Sequence, residues 1–241
     1  MPYRSRGQRG VTPQGRGRYR DFDVLDSVEQ WDDVTAGVVL ARLGPVGEPA
    51  FFTPHEVGVA APLLDLLLDQ DAEPRVPVLQ LVDARLATGE TDGWHYDDLP
   101  EDGQAWRDTL AFLDQDASEQ TSGRTFAQLI GDEQAAVIQA VQNLADDGKP
   151  WHGWAADRVW SLWTRYACTA FYSHPWAWNE IGFPGPAYPR GYLNPGVNAR
   201  DRWEVADAGR EDSDVDPVPF AARVEAARRE HSSMLGDDGA P

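Results

Sequence analysis

Five histidines, His55, His95, His152, His174 and His231, and a surplus of carboxylates give this chain its means for acid–base or metal chemistry. One grouping has ligand-like content: His55-Glu56 together with His95, Asp97 and Asp98. Two imidazoles and a carboxylate suit a divalent metal if a fold brings them together. The local pattern favours plainer roles, with His55 in the first turn of a helix and His95 in an acidic loop. His174 precedes a proline at a helix end, where an imidazole is expected to cap the last carbonyls. The acidic pairs Asp32-Asp33, Asp97-Asp98 and Asp146-Asp147 read as solvated charges, because a working carboxylate dyad needs burial to separate its pKa values. Cys168 is the single cysteine. That excludes an intrachain disulfide, a CxxC zinc site and a cysteine-ligated cluster within this chain. Its apolar neighbours on a predicted helix make it a buried small hydrophobe rather than a nucleophile.

The usual cofactor signatures are missing. There is no GxGxxG after a strand, no P-loop, no GxSxG elbow and no HExxH. No FAD, NAD or ATP is therefore expected on the familiar phosphate cradles, and no catalytic, cofactor-binding or metal-ligating residue is assigned to this chain. The net charge is −19, from 40 acidic and 21 basic residues, a field that repels phosphate backbones and argues against general nucleic-acid binding. Six arginines (Arg4, Arg6, Arg9, Arg16, Arg18, Arg20) fall in residues 1–20 without an acid, so setting aside those six charges leaves −25 on the rest. This basic stretch is expected to be a disordered tail. No apolar run is long enough to span a bilayer. No apolar h-region follows the N-terminus, and the arginines are separated, so neither a Sec nor a twin-arginine signal is expected and a cytoplasmic location follows.

The elements that must position any site read as helices. A weakly amphipathic piece runs from Asp23 to Val39, broken at Gly37, and Val34 to Leu43 suits strand or helix equally. Thr53-Pro54-His55-Glu56 places an N-cap threonine, a first-turn proline and a glutamate three residues after the cap. A helical stripe follows at Val57, Ala60, Ala61, Leu64, Leu67 and Leu68, with Pro62 expected to kink it or sit early in it. Further helices are expected from Pro77 to Gly89, from Glu101 to Asp116 with Trp106, Leu110 and Leu113 on one face, and from Asp132 to Asp146. In the last of these Ala136, Val137, Ala140, Val141 and Leu144 point inward. A helical turn covers Thr125 to Leu129. The fifth helix, about Trp154 to Ser173, is apolar nearly all round and so should be buried. Six of the ten tryptophans lie between Trp151 and Trp178. The organisation expected is a basic tail over 1–20, a helical domain over 21–186, and an extended arm, acidic linker and terminal helix over 187–241. The fold class is all-α: a single core of about five helices, with an irregular Trp/Pro/Gly-rich C-terminal arm.

Where the fifth helix ends, the chain reads F-Y-S-H-P-W-A-W-N-E-I-G-F-P-G-P over Phe171 to Pro186. Proline and glycine keep such a segment out of regular structure, so its large side chains either wedge against the protein's own helices or meet a partner. The order of features is a proline-initiated helix, W-R-D-T-L-A-F-L from Trp106, F-A-Q-L at 126–129, an aromatic helix ending F-Y-S-H-P, and W-N-E-I-G-F-P-G-P. It resembles the gluconate 2-dehydrogenase subunit 3 family over roughly residues 50–190. Members commonly carry a Gly-Gly-Asn insert where this chain has Trp176-Ala177, and many carry a twin-arginine export signal, which is not expected here.

The resemblance implies a helical, non-catalytic small subunit that binds and stabilises a flavin-dependent dehydrogenase of the glucose–methanol–choline type in a hetero-oligomer, the partner holding the FAD. Tyr172, His174, Trp176, Trp178, Asn179, Ile181, Phe183, Pro184, Pro186, Tyr188 and Tyr192 are the residues expected at or beside that partner interface. Competing expectations are a free-standing helical metal enzyme using His55, Glu56, His95 and an aspartate, or a helical scaffold for an unrelated partner.

Overall fold

The computed structural model describes residues 22–71 and 75–194, with Tyr19, Asp201, Trp203, Glu204, Glu225, Arg228, Arg229 and Ser232. The basic tail (Tyr19 apart), the arm beyond Asn194 and the acidic linker lie outside the described residues. Of the terminal helix expected over 219–235, Glu225, Arg228, Arg229 and Ser232 are described and are helical. The described chain is helical as expected: seven α-helices, two 3₁₀ segments and one two-stranded hairpin lie within residues 22–194. It divides into two units, one built from 46–71 and 77–171, the other from 1–45, 72–76 and 172–241.

The first of these units is a helical bundle. Helix α2 (Pro54–Leu67) begins at the anticipated capping box: Glu56 N donates to Thr53 Oγ1 at 3.3 Å and Thr53 N donates to Glu56 Oε2 at 2.7 Å. It runs through Pro62 and buries Val59, Ala60, Leu63 and Leu64. That face is one step away from the stripe expected from Val57 to Leu68, since Val57, Ala61 and Leu67 are only half-buried. Helix α3 (Val78–Ala87) buries Asp83 among its apolar residues. Asp83 Oδ1 accepts from Ala50 N (2.6 Å) and Phe51 N (3.2 Å), and Oδ2 from Phe51 N (3.1 Å) and Phe52 N (2.8 Å). One carboxylate thereby satisfies three successive N–H groups ahead of α2.

Helix α4 (Asp102–Gln120) buries Trp106, Leu110 and Leu113 together, as its spacing predicts. A 3₁₀ turn at Phe126–Gln128 leads to α5 (Gly131–Asp146). The inward face of α5 is Gln134, Val137, Ile138 and Val141; Ala136 and Ala140 are exposed, because Gln134 turns in to donate to the Phe126 carbonyl at 3.1 Å.

Strands β1 (Pro150–Trp151) and β2 (Trp154–Ala155) pair antiparallel around His152 and Gly153, both at positive φ (48° and 86°), the geometry of a primed two-residue turn. Helix α6 (Ala156–Ser173) follows. It buries Val159, Leu162, Trp163, Tyr166, Ala167 and Phe171, with Trp163 Nε1 donating to Thr109 Oγ1 at 3.0 Å. The expectation of burial all round fails on one side: Cys168 and Thr169 are exposed.

In the other unit a 3₁₀ segment, Val24–Gln30, is capped by Asp23, whose Oδ1 accepts from Leu25 N at 3.1 Å. Helix α1 (Asp33–Ala41) is capped by Asp32, accepting from Thr35 N at 2.9 Å, and runs through Gly37. That resolves Val34 to Ala41 as helix, with Arg42 and Leu43 in the turn that closes it. Helix α7 (Pro175–Ile181) rests on the 3₁₀ segment. Val24, Leu25, Val28, Trp31, Ala36, Val39, Leu40 and Trp178 form the core of this unit.

Candidate functional site

The segment singled out by sequence is more regular than expected. Pro175 ends α6 but also begins α7, because a proline at the first helical position lacks only an N–H that would be unbonded there anyway. His174 is the N-cap of α7, with Nδ1 accepting from Trp176 N at 3.2 Å. It does not cap the last carbonyls of α6. Those are taken by other donors: Trp178 Nε1 reaches Tyr172 O at 2.7 Å and Arg42 Nη1 reaches Ser173 O at 2.9 Å. Burial, with Arg42 adding positive charge nearby, lowers the His174 imidazole from the ordinary 6.5 to about 4. An acceptor nitrogen is what the cap requires, and the neutral ring keeps one.

Helix α7 closes with Gly182 in the left-handed region (φ 67°), where Gly182 N and Phe183 N both donate toward Trp178 O. A Cβ at Gly182 would sit 2.6 Å from the Tyr19 ring, so glycine is required here by space as well as by φ. Gly185, also at positive φ, lies directly against the Trp31 ring, and Trp31 Nε1 donates to Pro186 O at 3.0 Å. Arg190 then ties the chain back through Gln30 Oε1 at 2.8 Å and Pro184 O at 2.5 Å, with Trp203 against its guanidinium.

This framework sorts the eleven expected interface residues. His174, Trp176, Trp178 and Asn179 are buried inside their own unit. Asn179 is fully internal: Oδ1 accepts from Val24 N at 2.8 Å and Nδ2 faces Asp23 Oδ1 at 3.3 Å. Pro184 and Pro186 are half-buried. Tyr172 (46%), Ile181 (47%), Phe183 (38%), Tyr188 (66%) and Tyr192 (66%) are exposed, and Leu193, which the sequence reading did not single out, is exposed at 69%. Phe183 leans edge-on against Trp178, ring centres 5.3 Å apart. Exposed aromatic residues on a base this firmly tied offer large contact area at small entropy cost.

The residues of the metal alternative are engaged separately. His55 Nε2 meets Asp114 Oδ2 at 2.6 Å. Glu56 is held by Arg107, both carboxylate oxygens at 2.7 Å from Nη1, and stays below the ordinary carboxylate range because these bonds and Thr53 outweigh the cost of its burial. They line a shallow hollow of about 290 Å³ with Val59, Leu110 and Ala111. His95 pairs with Glu101 at 3.2 Å and its own Tyr96 carbonyl instead. Among the described residues no three His, Cys, Asp or Glu side chains come together as a metal site. Nor is any helix there long and apolar enough to cross a membrane.

The model for gluconate 2-dehydrogenase subunit 3 matches residues 54–185, from the first residue of α2 to the glycine beneath Trp31. The chain belongs to the gluconate 2-dehydrogenase subunit 3 family. Neither the curated proteins nor the solved structures give a match.

Proposed function

We propose that this chain is the non-catalytic small subunit of an oxidoreductase complex, binding and stabilising a flavin-dependent dehydrogenase subunit of the glucose–methanol–choline type that carries the FAD. Membership of the family implies a partner subunit. One observation supports the surface used: Tyr172, Ile181, Phe183, Tyr188, Tyr192 and Leu193 are exposed between positions 172 and 193, on a segment whose backbone is fixed from beneath by Trp31, Trp178, Asn179 and Arg190. Large apolar side chains exposed along one segment fit an interaction surface. The buried residues of the same segment set its shape, and the exposed ones make contact. A cytoplasmic complex is part of this reading.

Co-expression with a glucose–methanol–choline flavoprotein tests it. The expected result is a hetero-oligomer that co-purifies with bound FAD, while the chain by itself is colourless and inactive on sugars and alcohols. Failure of every such flavoprotein to co-purify, or a flavin spectrum in the isolated chain, would overturn the reading.

A further inference from the structure

Residues 88–101, between α3 and α4, contain no helix or strand; Tyr96, whose hydroxyl lies 3.3 Å from Ser161 Oγ, and the buried Leu99 hold their later part, and a set of charges centred on Asp92 holds their earlier part. Asp92 Oδ1 accepts from Arg85 of α3, and Oδ2 accepts from Arg165 of α6. Arg165 Nη2 also reaches both oxygens of Asp102, at 3.3 and 3.2 Å, and Asp102 accepts from the Tyr166 hydroxyl at 2.7 Å. Arg85 and Arg165 both stack on the Tyr166 ring, at 4.8 and 5.2 Å. Trp94, half exposed, lies 5.1 Å over Arg165, and Tyr96 lies 4.1 Å from Arg158. Gly93, next to Asp92, has φ 77°.

Two arginines and two aspartates leave the cluster neutral. Its hydrogen bonds are not balanced: Arg85 Nε, Arg85 Nη1 and Arg165 Nε are buried with no acceptor among the described residues. Buried guanidinium donors are ordinarily filled, by protein or by ordered water, so these two side chains keep donors beyond those that hold Asp92 and Asp102. The pair stands on two helices, whereas Asp92 comes from the loop. Without Asp92 the cluster would carry one net positive charge and two guanidiniums presenting a carboxylate-sized gap.

We propose that Arg85 and Arg165 form a carboxylate-binding site whose resident ligand is Asp92, so that the 88–101 segment is a latch that an external small carboxylate displaces. One carboxylate oxygen faces each guanidinium, and the same arrangement accepts formate or acetate in place of the aspartate head group. Binding and latching exclude each other, because a second carboxylate beside Asp92 and Asp102 would make the cluster net negative. The exposed Trp94 lifts with the loop.

Hydrogen exchange on the full chain tests this, with formate as probe and chloride at equal ionic strength as control. In the wild type, saturating formate should speed exchange of the amides of 90–97, and chloride should not. Asp92→Ala should lose loop protection without any anion, on the order of tenfold or more, the weight of charge-assisted bonds. It should also bind formate more tightly than the wild type, read as a saturable rise in melting temperature beyond that given by chloride. Asp92→Asn, which keeps the shape and one acceptor, should fall between the two. Equal responses to formate and chloride in the wild type, or no formate-specific stabilisation in either variant, would overturn the proposal.

Discussion

Asn179 and Val24 stand 155 positions apart in sequence, and a single buried hydrogen bond of 2.8 Å joins the asparagine amide oxygen to the valine N–H. The bond connects α7 to the first turn of the 3₁₀ segment and seats Trp178, one residue earlier, in the core of that unit. Asn179→Ala is predicted to leave the Val24 N–H buried and unbonded. The cost expected is about 2 kcal/mol, the desolvation penalty of an orphaned donor. Urea unfolding measures it; a loss below ~0.5 kcal/mol would show that water replaces the amide.

His174 predicts an acid limb. Its folded pKa, about 4, lies below the ordinary 6.5, so between these values the unfolded chain binds more protons than the folded one. Stability therefore falls as pH drops from about 6.5 towards 4 and is fully present above 6.5. The shift corresponds to about 3 kcal/mol in total. His174→Asn keeps an acceptor at the N-cap and removes the titration. Unfolding midpoints at pH 7 and 4.5 should diverge more for the wild type than for this variant. An equal loss in both would trace the acid sensitivity to other groups.

Asp83 predicts a strong dependence on a negative side chain at one buried position. Asparagine there offers a single oxygen and turns an NH₂ toward the N–H groups of 50–52. Asp83→Asn is expected to cost about 2–3 kcal/mol. Amide exchange of Phe51 and Phe52 should accelerate in step with global destabilisation. Unchanged protection at those two amides would contradict the role assigned to the carboxylate.

The proposed docking surface is testable without disturbing the fold. Tyr188 and Tyr192 are each two-thirds exposed. Replacing both with alanine should shift the stability of the isolated chain by no more than ~0.5 kcal/mol per site. Loss of two aromatic anchors should weaken flavoprotein capture by about 30-fold or more. Undiminished capture by the double variant would move the contact elsewhere.

The sequence disclosed elements whose signals are local. The Thr53–Glu56 capping box and the Trp106, Leu110, Leu113 spacing both reappear in three dimensions. What stayed hidden depends on contacts far along the chain. A proline after a serine and a histidine stops one helix, and whether it starts another turns on the 3₁₀ segment that receives α7. Trp178 and Tyr188 look alike as aromatic residues of one irregular-looking stretch, yet one is core and the other surface. The hairpin around His152-Gly153 has no signal in the sequence, because two-residue strands leave no periodicity. The apolar neighbours of Cys168 point to burial, but it projects from the open side of α6. The Asp83 and Asn179 bonds had no local signature.

One unit is drawn from residues 1–45, 72–76 and 172 onward, while the other is drawn from 46–71 and 77–171. During synthesis the second can assemble from a nearly continuous stretch. The first must wait for more than a hundred intervening residues, on the order of ten seconds at ~5–20 residues per second. Until then Val28 and Trp31 have no Trp178 to meet. The exposed aromatic surface consequently takes shape last, late in the birth of the chain. If the proposed partner contact is made there, a nascent copy cannot form it before residues 46–171 have been made.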